Sequence, residues 1–415
     1  MTLQIAEIVT GGLCMGCGLC QSLAGHDRIA IQMTPEGRLR PMQADGLDSG
    51  TVERINAVCP GVRVAGADPE RLQAGAAIDL MWGPAARLAI GYAGDPAVRH
   101  LGSTGGVLTA LSCFLLETKR VSFILHVAAS RTEPMRSVPR LSFDRASVIE
   151  GAGSRYGPVA PLADFNSVLD RGEPFALVAK PCDITAVRNL ARSDPRVDHL
   201  MRYALTFLCG GASDLTKSEE VVRDFRIREE ELSLFRYRGF GNPGPTRAET
   251  RDGRAFEISY QQMWEDESKW MIQPRCKICP DPIGESADLV ASDVWPGGGP
   301  TGEDAGFNGI IARTAQGTEL FEAAKAAGAI VVEREVGFRD FDLFQPHQVR
   351  KRRAIWARFV GLRAAGLDTP RAEGLRLREI AQHNSLSENL DEARGARRRA
   401  RSGRLGEPNA RPRRP

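Results

Sequence analysis

The sequence is poor in aromatic residues, in long apolar runs and in charge of a single sign. Phe, Trp and Tyr make up 6% of the 415 residues, and 55 Lys and Arg nearly balance 52 Asp and Glu. This composition lacks the basic face with interleaved aromatics that nucleic-acid binding requires. The longest apolar stretch, 105–116, is too short to cross a bilayer, and no basic segment followed by an apolar one opens the chain. We therefore expect a cytoplasmic protein without a membrane span.

Positive charge is concentrated at the end of the chain. Residues 394–415 contain nine Arg and one acidic residue, which leaves residues 1–393 with a net charge of about −5. Runs of like charge of this kind are typical of solvated, disordered extensions, and we predict one here. Docking of an acidic electron donor is the alternative role for this tail.

Nine cysteines are too few for a disulfide scaffold in a chain of this length, and they are clustered. Cys14, Cys17 and Cys20 form a C-x-x-C-x-x-C motif, the spacing that places three thiolates around a cubane iron-sulfur cluster. Gly16 and Gly18 permit the tight backbone that this spacing needs. Cys59, followed by a proline, is the candidate fourth ligand. A structural zinc site is the alternative, although zinc ligands more often come as separated C-x-x-C pairs.

A second set of four cysteines is spread more widely. Cys276 and Cys279 form a close pair, whereas Cys182 and Cys209 each stand at or just beyond the end of a predicted strand. Because the carboxyl ends of strands meet at one edge of an α/β sheet, these four side chains can converge on a second iron-sulfur cluster. A redox dithiol or half of a zinc site remains open for the C-x-x-C pair. The ninth cysteine, Cys113, lies on the apolar face of a predicted helix and fits core packing.

Strand and helix patterns alternate from residue 85 onward, which predicts a mixed α/β core with an antiparallel insertion. A glycine-rich turn at 102–106 leads into an apolar helix, and the insertion at 246–259 resembles a hairpin that turns at Asp252-Gly253. We divide the chain into a ferredoxin-like module with its connector (1–84), two parts of the core (85–165 and 166–350), a helical segment (351–393) and the Arg-rich tail (394–415).

Over about residues 85–350, the chain resembles the coenzyme F-420 hydrogenase/dehydrogenase beta-subunit family. The resemblance rests on these motifs, in this order: GSTGG at 102–106, GSRY at 153–156, KPCD at 180–183, FLC ending at 209, CKICP at 276–280, ADLVASDVW at 287–295 and GIIARTAQG at 309–317. The N-terminal ferredoxin-like module is similar to that of 7-hydroxymethyl chlorophyll a reductase and the ferredoxin-dependent divinyl chlorophyllide reductases.

The resemblance implies an FAD beside a 4Fe-4S cluster. Together with the cluster predicted at the N-terminal cysteine motif, this gives two 4Fe-4S clusters in the whole chain. It implies that Cys182, Cys209, Cys276 and Cys279 hold the cluster near the flavin. It also places Gly102, Ser103, Thr104, Gly105 and Gly106 close to FAD. The residue types agree, because glycines allow close backbone approach and a helix N-terminus can receive a pyrophosphate. A glycine turn that only caps the helix is the alternative.

Four further residues near these motifs are candidates for flavin or substrate contacts. Lys180 can place positive charge near the flavin, Arg155 and Tyr156 belong to the GSRY motif, and Asp293 ends a predicted strand. The alternatives are a solvated lysine, turn packing and a capping carboxylate, respectively. The sequence assigns no catalytic residue. Asp183, His126 and Tyr156 have the chemistry of proton donors, but His126 lies in an apolar run that is typical of a core histidine.

The function that we predict is an iron-sulfur flavoprotein oxidoreductase. It would take electrons from a one-electron donor such as reduced ferredoxin, through two 4Fe-4S clusters and FAD, to a small organic acceptor. The first alternative is an electron-transfer beta subunit that couples coenzyme F-420 to a catalytic partner subunit of a hydrogenase or dehydrogenase. The second is a zinc-stabilised binding protein that is not an enzyme.

Overall fold

The computed structural model describes residues 2–44, 46–264, 266 and 270–407. The strands are β1 (Ile29–Met33), β2 (Leu39–Gln43), β3 (Arg63–Ala65), β4 (Ala77–Asp79), β5 (Gly83–Ala85), β6 (Arg87–Ala93), β7 (Phe123–Ala129), β8 (Ser137–Ser142), β9 (Phe175–Val178), β10 (Met201–Phe207), β11 (Leu232–Arg236), β12 (Thr246–Thr250), β13 (Ala255–Ile258), β14 (Leu289–Asp293), β15 (Asn308–Ala312), β16 (Ile330–Glu335) and β17 (Arg371–Glu373).

The α-helices are α1 (Ile5–Thr10), α2 (Leu19–Ala24), α3 (Ser49–Val58), α4 (Pro96–Leu101), α5 (Val107–Glu117), α6 (Arg145–Glu150), α7 (Phe165–Asp170), α8 (Pro181–Ala191), α9 (Arg196–Leu200), α10 (Leu215–Asp224), α11 (Tyr260–Trp264), α12 (Ala315–Ala326), α13 (Phe338–Phe344), α14 (Pro346–Arg363), α15 (Leu377–Ala381) and α16 (Leu386–Arg401).

An eight-stranded mixed sheet forms the centre of the fold, in the order β16-β6-β15-β14-β10-β9-β7-β8. The four strands β14, β10, β9 and β7 are parallel, whereas β15, β6, β16 and β8 pair antiparallel with their neighbours. Apolar side chains alternate between the two faces. Helices α5 and α12 cover one face, and α7, α8 and α13 cover the other. The predicted mixed α/β core is confirmed.

The antiparallel insertion is a separate three-stranded sheet, β11-β12-β13. Strands β12 and β13 pair from Thr246 opposite Ile258 to Glu249 opposite Ala255, and Gly253 takes a left-handed φ of +90° in the turn between them. The hairpin at Asp252-Gly253 therefore forms where the sequence predicts it. Its sheet packs on α10 and α11 through a small core of its own.

The N-terminal module is part of the same packed body as the rest of the chain. Leu19 and Val58 belong to the core under the central sheet, together with Phe165 and Ile184. The rest of the module packs on α14 and α16, and β3 pairs in parallel with β17 near the end of the chain. The N-terminal module and the helices α14 and α16 thus pack together around the first cysteine motif.

The prediction of a disordered tail from Arg394 onward is wrong for residues 394–401, because these residues form the last turns of α16. This helix starts with a capping box of Ser385 and Glu388 and packs closely on α14, burying Ala396. After the helix, the buried Glu407 pairs with Arg40, whose side chain is fully buried, and with Arg38. Tertiary contacts therefore outweigh the charge pattern here. The remaining residues of the predicted tail, 408–415, lie outside the described part of the chain.

Candidate functional site

The four cysteines of the first set come from three neighbouring elements. Cys14 and Cys17 lie on the loop between α1 and α2, Cys20 is in the first turn of α2, and Cys59 ends α3. Cys20 interacts electrostatically with Cys14 and Cys59, and Cys17 interacts with Cys20 and Cys59. Burial raises the pKa of all four thiols, that of Cys59 to about 11. The structure thus brings these four side chains together, and we call them the first quartet.

The backbone of this loop needs its glycines. Gly16 and Gly18 have φ angles of +68° and +90°, in the left-handed region that favours glycine. A Cβ on Gly16 would stand 2.3 Å from the carbonyl oxygen of Leu39, so the loop also packs too closely for any other residue. Both glycines therefore have the local role that the sequence predicts for them.

The second set of cysteines meets at the carboxyl ends of the parallel strands. Cys182 opens α8 just after β9, Cys209 follows β10, and Cys276 and Cys279 lie on and just after a short 3-10 turn, Pro274–Ile278. Cys209 interacts electrostatically with Cys182, Cys276 and Cys279. Burial raises the pKa of Cys209 to about 12. We call these four residues the second quartet.

Cys113 stays apart from both quartets. It is buried in the core between α5 and the central sheet, and burial raises its pKa to about 11. Its electrostatic neighbours are Arg145, Glu117 and Asp95 rather than other cysteines. The packing role that the sequence predicts for Cys113 agrees with this position.

Both quartets consist of thiols alone. Among the residues that the structure describes, no group of three or more His, Cys, Asp or Glu side chains is arranged to hold one metal ion. A zinc ion gathers its four sulfurs at about 2.3 Å from one point, whereas a cubane cluster binds each cysteine through a different iron. The iron-sulfur clusters and the zinc alternative both stay predictions for these all-thiol sets.

Three side chains link the two quartets. Met15, from the first motif, packs in a small apolar cluster with Cys276 and Cys182. Asp183 interacts electrostatically with Cys17 and with Cys182, so it lies between the two sets. The quartets are therefore neighbours within one buried region.

Arg275 is the third link, and it is positively charged. Its guanidinium is fully buried and donates from Nη2 to the carbonyl oxygen of Pro60, at 2.8 Å. The same side chain lowers the pKa of Cys59 in the first quartet and of Cys276 in the second. Its Nε has no hydrogen-bond partner among the described residues. Sequence reasoning missed Arg275, for which its position next to Cys276 was the available signal.

A cavity of about 1180 Å³ opens beside the second quartet, and Cys209 is part of its wall. The ends of the parallel strands β9, β10 and β14 form its floor, as expected for a ligand site in an α/β sheet. The cavity is large enough for a dinucleotide such as FAD. Its wall includes these predicted cofactor-binding residues: Gly102, Ser103, Thr104, Gly106, Arg155, Tyr156, Lys180 and Asp293.

Gly105 has a packing role instead. It is not part of the cavity wall, and a Cβ at this position would stand 2.8 Å from the backbone nitrogen of Asn308 and 3.0 Å from the carbonyl oxygen of Gly91. Close approach of the turn to β6 and β15 therefore explains this glycine. Its predicted closeness to a cofactor stays a prediction.

The glycine turn is held by an ion pair between the buried Arg238 and the half-buried Asp293, which the sequence did not reveal. Thr104 donates from Oγ1 to Asp293 Oδ1 at 2.6 Å, and Arg238 Nη1 donates to Asp293 Oδ2 at 3.0 Å. Arg238 also donates to the carbonyl oxygen of Ser103, and its guanidinium lies 4.7 Å from the centre of the Trp295 ring. Asp293 thus fixes the turn through Thr104 and Arg238. Arg238 lies on an irregular segment without a motif, which explains why it was missed.

Arg155 is engaged by the protein itself. It donates to Ser137 Oγ and to the carbonyl oxygens of Pro134, Met135, Arg136 and Phe235. These bonds use the guanidinium to join β8, β11 and the GSRY segment. The structure therefore supports the turn-packing alternative for Arg155, while its contact with a ligand stays a prediction.

Lys180 is not a solvated lysine, because 13% of its side chain is exposed. Its Nζ lies 2.7 Å from Asp183 Oδ2, and the backbone N–H of Lys180 donates to the same oxygen at 3.3 Å. Burial lowers the pKa of Lys180, but Asp183, Cys182 and Cys209 together raise it above its ordinary value, so the amine stays protonated. A fixed positive charge thus stands in the cavity wall next to Cys182.

The three proton-donor candidates differ in their environment. His126 and Tyr156 line the cavity, whereas Asp183 is fully buried in its ion pair with Lys180. Burial lowers the pKa of His126 to about 4, with Ser142 Oγ 2.8 Å from its Nε2, so the ring is neutral at pH 7. The Tyr156 ring lies 4.5 Å from that of Trp264, and burial raises its pKa. The role of any of the three as a proton donor stays a prediction.

Two family models match the chain over the sheet and the cavity. Residues 89–165 match the N-terminal part, and residues 172–336 the C-terminal part, of the coenzyme F420 hydrogenase/dehydrogenase beta subunit. The chain belongs to this family. The second quartet and the glycine turn lie inside the matched residues, whereas the first quartet lies outside them.

Two curated relatives come from methanogens. The chain is 24% identical over 246 residues to the F420-dependent formate dehydrogenase 1 subunit beta of Methanococcus maripaludis, a match that covers 57% of this chain and 59% of the relative. It is 24% identical over 248 residues to the corresponding subunit of Methanocaldococcus jannaschii, covering 58% and 60%. The match thus spans about three fifths of each relative's length. Both relatives are subunits of oxidoreductases.

A solved structure shares the fold. A chain of the F420-reducing [NiFe] hydrogenase complex from Methanosarcina barkeri superposes with a TM-score of 0.50 at 18% identity, covering 67% of this chain and 95% of that one. This likeness supports the mixed α/β fold. About a third of the present chain has no counterpart in it. In the described residues, no helix has the length and apolar character of a membrane span.

The buried His126 predicts a pH dependence of stability. Its pKa of about 4 in the folded chain lies below the ordinary value of 6.5, so the unfolded chain binds more protons between these values. Its contribution is therefore complete above about pH 6.5 and is lost as the pH falls toward 4. We expect the free energy of unfolding to fall between pH 7 and pH 5 by about 2 kcal/mol more than in His126→Gln, which has no titrating ring. Equal losses in the two proteins, measured by chemical denaturation, would contradict the burial of a neutral ring.

Proposed function

We propose that this chain is an electron-transfer subunit of an F420-dependent oxidoreductase, in which two iron-sulfur clusters and a flavin link F420 to a catalytic partner subunit. The observation that carries the proposal is the position of two adjacent cysteine quartets, the second of which borders the large cavity. The family, and the formate dehydrogenase subunits among its relatives, support F420 and a hydrogenase or dehydrogenase partner.

The residues that would hold the cofactors follow from their positions. The first quartet would hold one 4Fe-4S cluster and the second quartet another, while the cavity beside the glycine turn would hold FAD. When bound, the clusters carry single electrons and the flavin exchanges them for electron pairs.

The chain supplies positive charge and hydrogen bonds to the thiolates. The N–H groups of Gly16 and Ala212 donate to the sulfurs of Cys14 at 3.3 Å and Cys276 at 3.2 Å. Arg40 lowers the pKa of Cys14, and Lys351 and Arg275 lower that of Cys276. Cations and amide donors of this kind stabilise negative charge and raise the reduction potential of an iron-sulfur cluster.

One observation favours a second candidate function, a complete reductase that takes electrons from a one-electron donor such as reduced ferredoxin. The first quartet lies at residues 14–59, outside the matched family models, so this chain carries a donor set of its own for electron entry. Such a reductase would act on a small organic substrate without a partner subunit. The two candidates are distinguished by adding reduced F420 or reduced ferredoxin, each alone, to the anaerobic protein. Bleaching of the flavin by reduced F420 supports the electron-transfer subunit, and bleaching by reduced ferredoxin supports the complete reductase.

The cofactor content of cysteine variants tests the proposal. The anaerobically purified chain should contain about eight iron, eight acid-labile sulfide and one FAD, and no zinc. The variants Cys17→Ser and Cys182→Ser should each lose about four iron, and Cys113→Ala, the matched control, should lose none. Zinc without flavin in the unaltered chain would overturn the proposal, and iron loss in the control would show that the variants report on folding rather than on ligation.

Arg275 predicts a joint effect on both clusters. Replacing this buried cation by Gln removes positive charge shared by Cys59 and Cys276, so both midpoint potentials should fall, by roughly 50 mV. Redox titration followed by electron paramagnetic resonance measures the two potentials separately. The control is Arg120→Gln, which removes a charge paired with Glu319, away from the quartets. A shift of only one potential, or of neither, would show that Arg275 does not link the quartets.

A further inference from the structure

A cationic surface lies over the ligand loop of the second quartet. We define it by Lys277, Arg358, Arg398 and Arg399, which come from the loop, from α14 and from α16. Arg358 donates from Nη1 to the carbonyl oxygen of Lys277 at 2.8 Å, and Arg399 interacts electrostatically with both Lys277 and Arg358. Lys277 is exposed. The surface is therefore one continuous patch that reaches solvent.

Negative charge balances this surface only in part, because Glu392 acts on Arg358 and Arg399 and Asp214 acts on Lys277. Helix α14 contains six Lys and Arg and no acidic residue, and residues 394–401 of α16 contain five Arg and no acidic residue. Among the described residues, the only ion pair formed by the four cations joins Arg358 to Glu392, at 2.8 Å. Burial and the neighbouring guanidiniums of Arg358 and Arg398 lower the pKa of Arg399. Crowding of like charges destabilises the fold, so a negatively charged partner would relieve it.

The position of the surface identifies the kind of partner. Lys277 stands between Cys276 and Cys279, one residue from the first and two from the second, so a molecule seated here lies beside the second quartet. A hydride carrier must instead enter the cavity to reach a flavin. Single electrons can pass to a cluster from a protein that remains outside, which favours a one-electron carrier protein at this surface.

We propose that the cationic surface docks the acidic face of a one-electron carrier protein beside the second quartet. The electron-transfer role rests on the proposed function, but the docking depends on charge alone. Complementary charge speeds association and aligns two proteins, and its effect falls as salt screens it. The carrier is recognised here by its carboxylates and not by an apolar contact.

The test uses the full, anaerobically purified chain and an acidic plant-type ferredoxin as the probe. In Arg398→Glu/Arg399→Glu, two charges of the surface are reversed on residues that do not contact either quartet. The dissociation constant for ferredoxin should rise about tenfold at low salt, and its salt dependence should become weaker. The matched control is Arg131→Glu/Arg228→Glu, which makes the same charge change at side chains that are 74% and 77% exposed. Its dissociation constant should stay within about twofold of the unaltered chain.

A kinetic readout separates docking from electron transfer. Reduction of the chain by reduced ferredoxin should slow in the surface variant, whereas reduction by the methyl viologen radical, a small cation, should not slow.

Two results would overturn the docking proposal. One is equal ferredoxin binding by the unaltered chain, the surface variant and the control variant, and the other is tighter binding of RNA or of anionic vesicles than of ferredoxin. The dissociation constant is measured by isothermal titration calorimetry, which needs no iron or flavin. A chain that lacks cofactors would therefore overturn the proposed function, while its binding of ferredoxin could still be measured.

Discussion

Eight buried or half-buried thiols in two adjacent quartets set the main constraint on this fold. Burial raises the pKa of seven of these thiols, so thiolates are stable there only with compensating positive charge and hydrogen bonds. The surrounding chain supplies cations from distant positions: Arg40, Arg275 and Lys351. Each of these cations is fixed by the packing of the N-terminal module, the ligand loop and α14 on one another. The packing of the N-terminal module against α14 therefore helps to form the site.

The same constraint joins the N-terminal module to the rest of the chain. Its β3 pairs with β17, its loops pack on α14 and α16, and the buried Glu407 pairs with Arg40. Met15 and Arg275 then connect the first quartet with the second. Removing one charged partner from such a buried pair leaves the other uncompensated, which is costly. The module and the family core thus depend on each other structurally.

The features that could be predicted from the sequence are those with local signals. The spacing of Cys14, Cys17 and Cys20, the strand ends before Cys182 and Cys209, and the hairpin at Asp252-Gly253 each follow from a short pattern, and the structure brings these residues together as expected. The glycine turn at 102–106 likewise lies at the cavity, apart from Gly105.

The features that could not be predicted depend on tertiary contacts. Arg238 and Arg275 act through partners that are 55 and 215 residues away in sequence, so the local sequence does not reveal these contacts, even though Arg275 stands next to Cys276. Arg155 has the residue type of an anion ligand, but its donors are used by backbone carbonyls that only the fold brings near. The end of α16 is helical because it packs on α14, which the run of Arg does not reveal.

The central claim is that the two quartets hold separate iron-sulfur clusters next to each other in one chain. Anomalous X-ray scattering at the iron edge, from crystals of the anaerobically purified protein, tests it most directly. The account predicts two iron peaks, one enclosed by Cys14, Cys17, Cys20 and Cys59 and the other by Cys182, Cys209, Cys276 and Cys279. A single iron peak, or a signal at the zinc edge in either quartet, would contradict it.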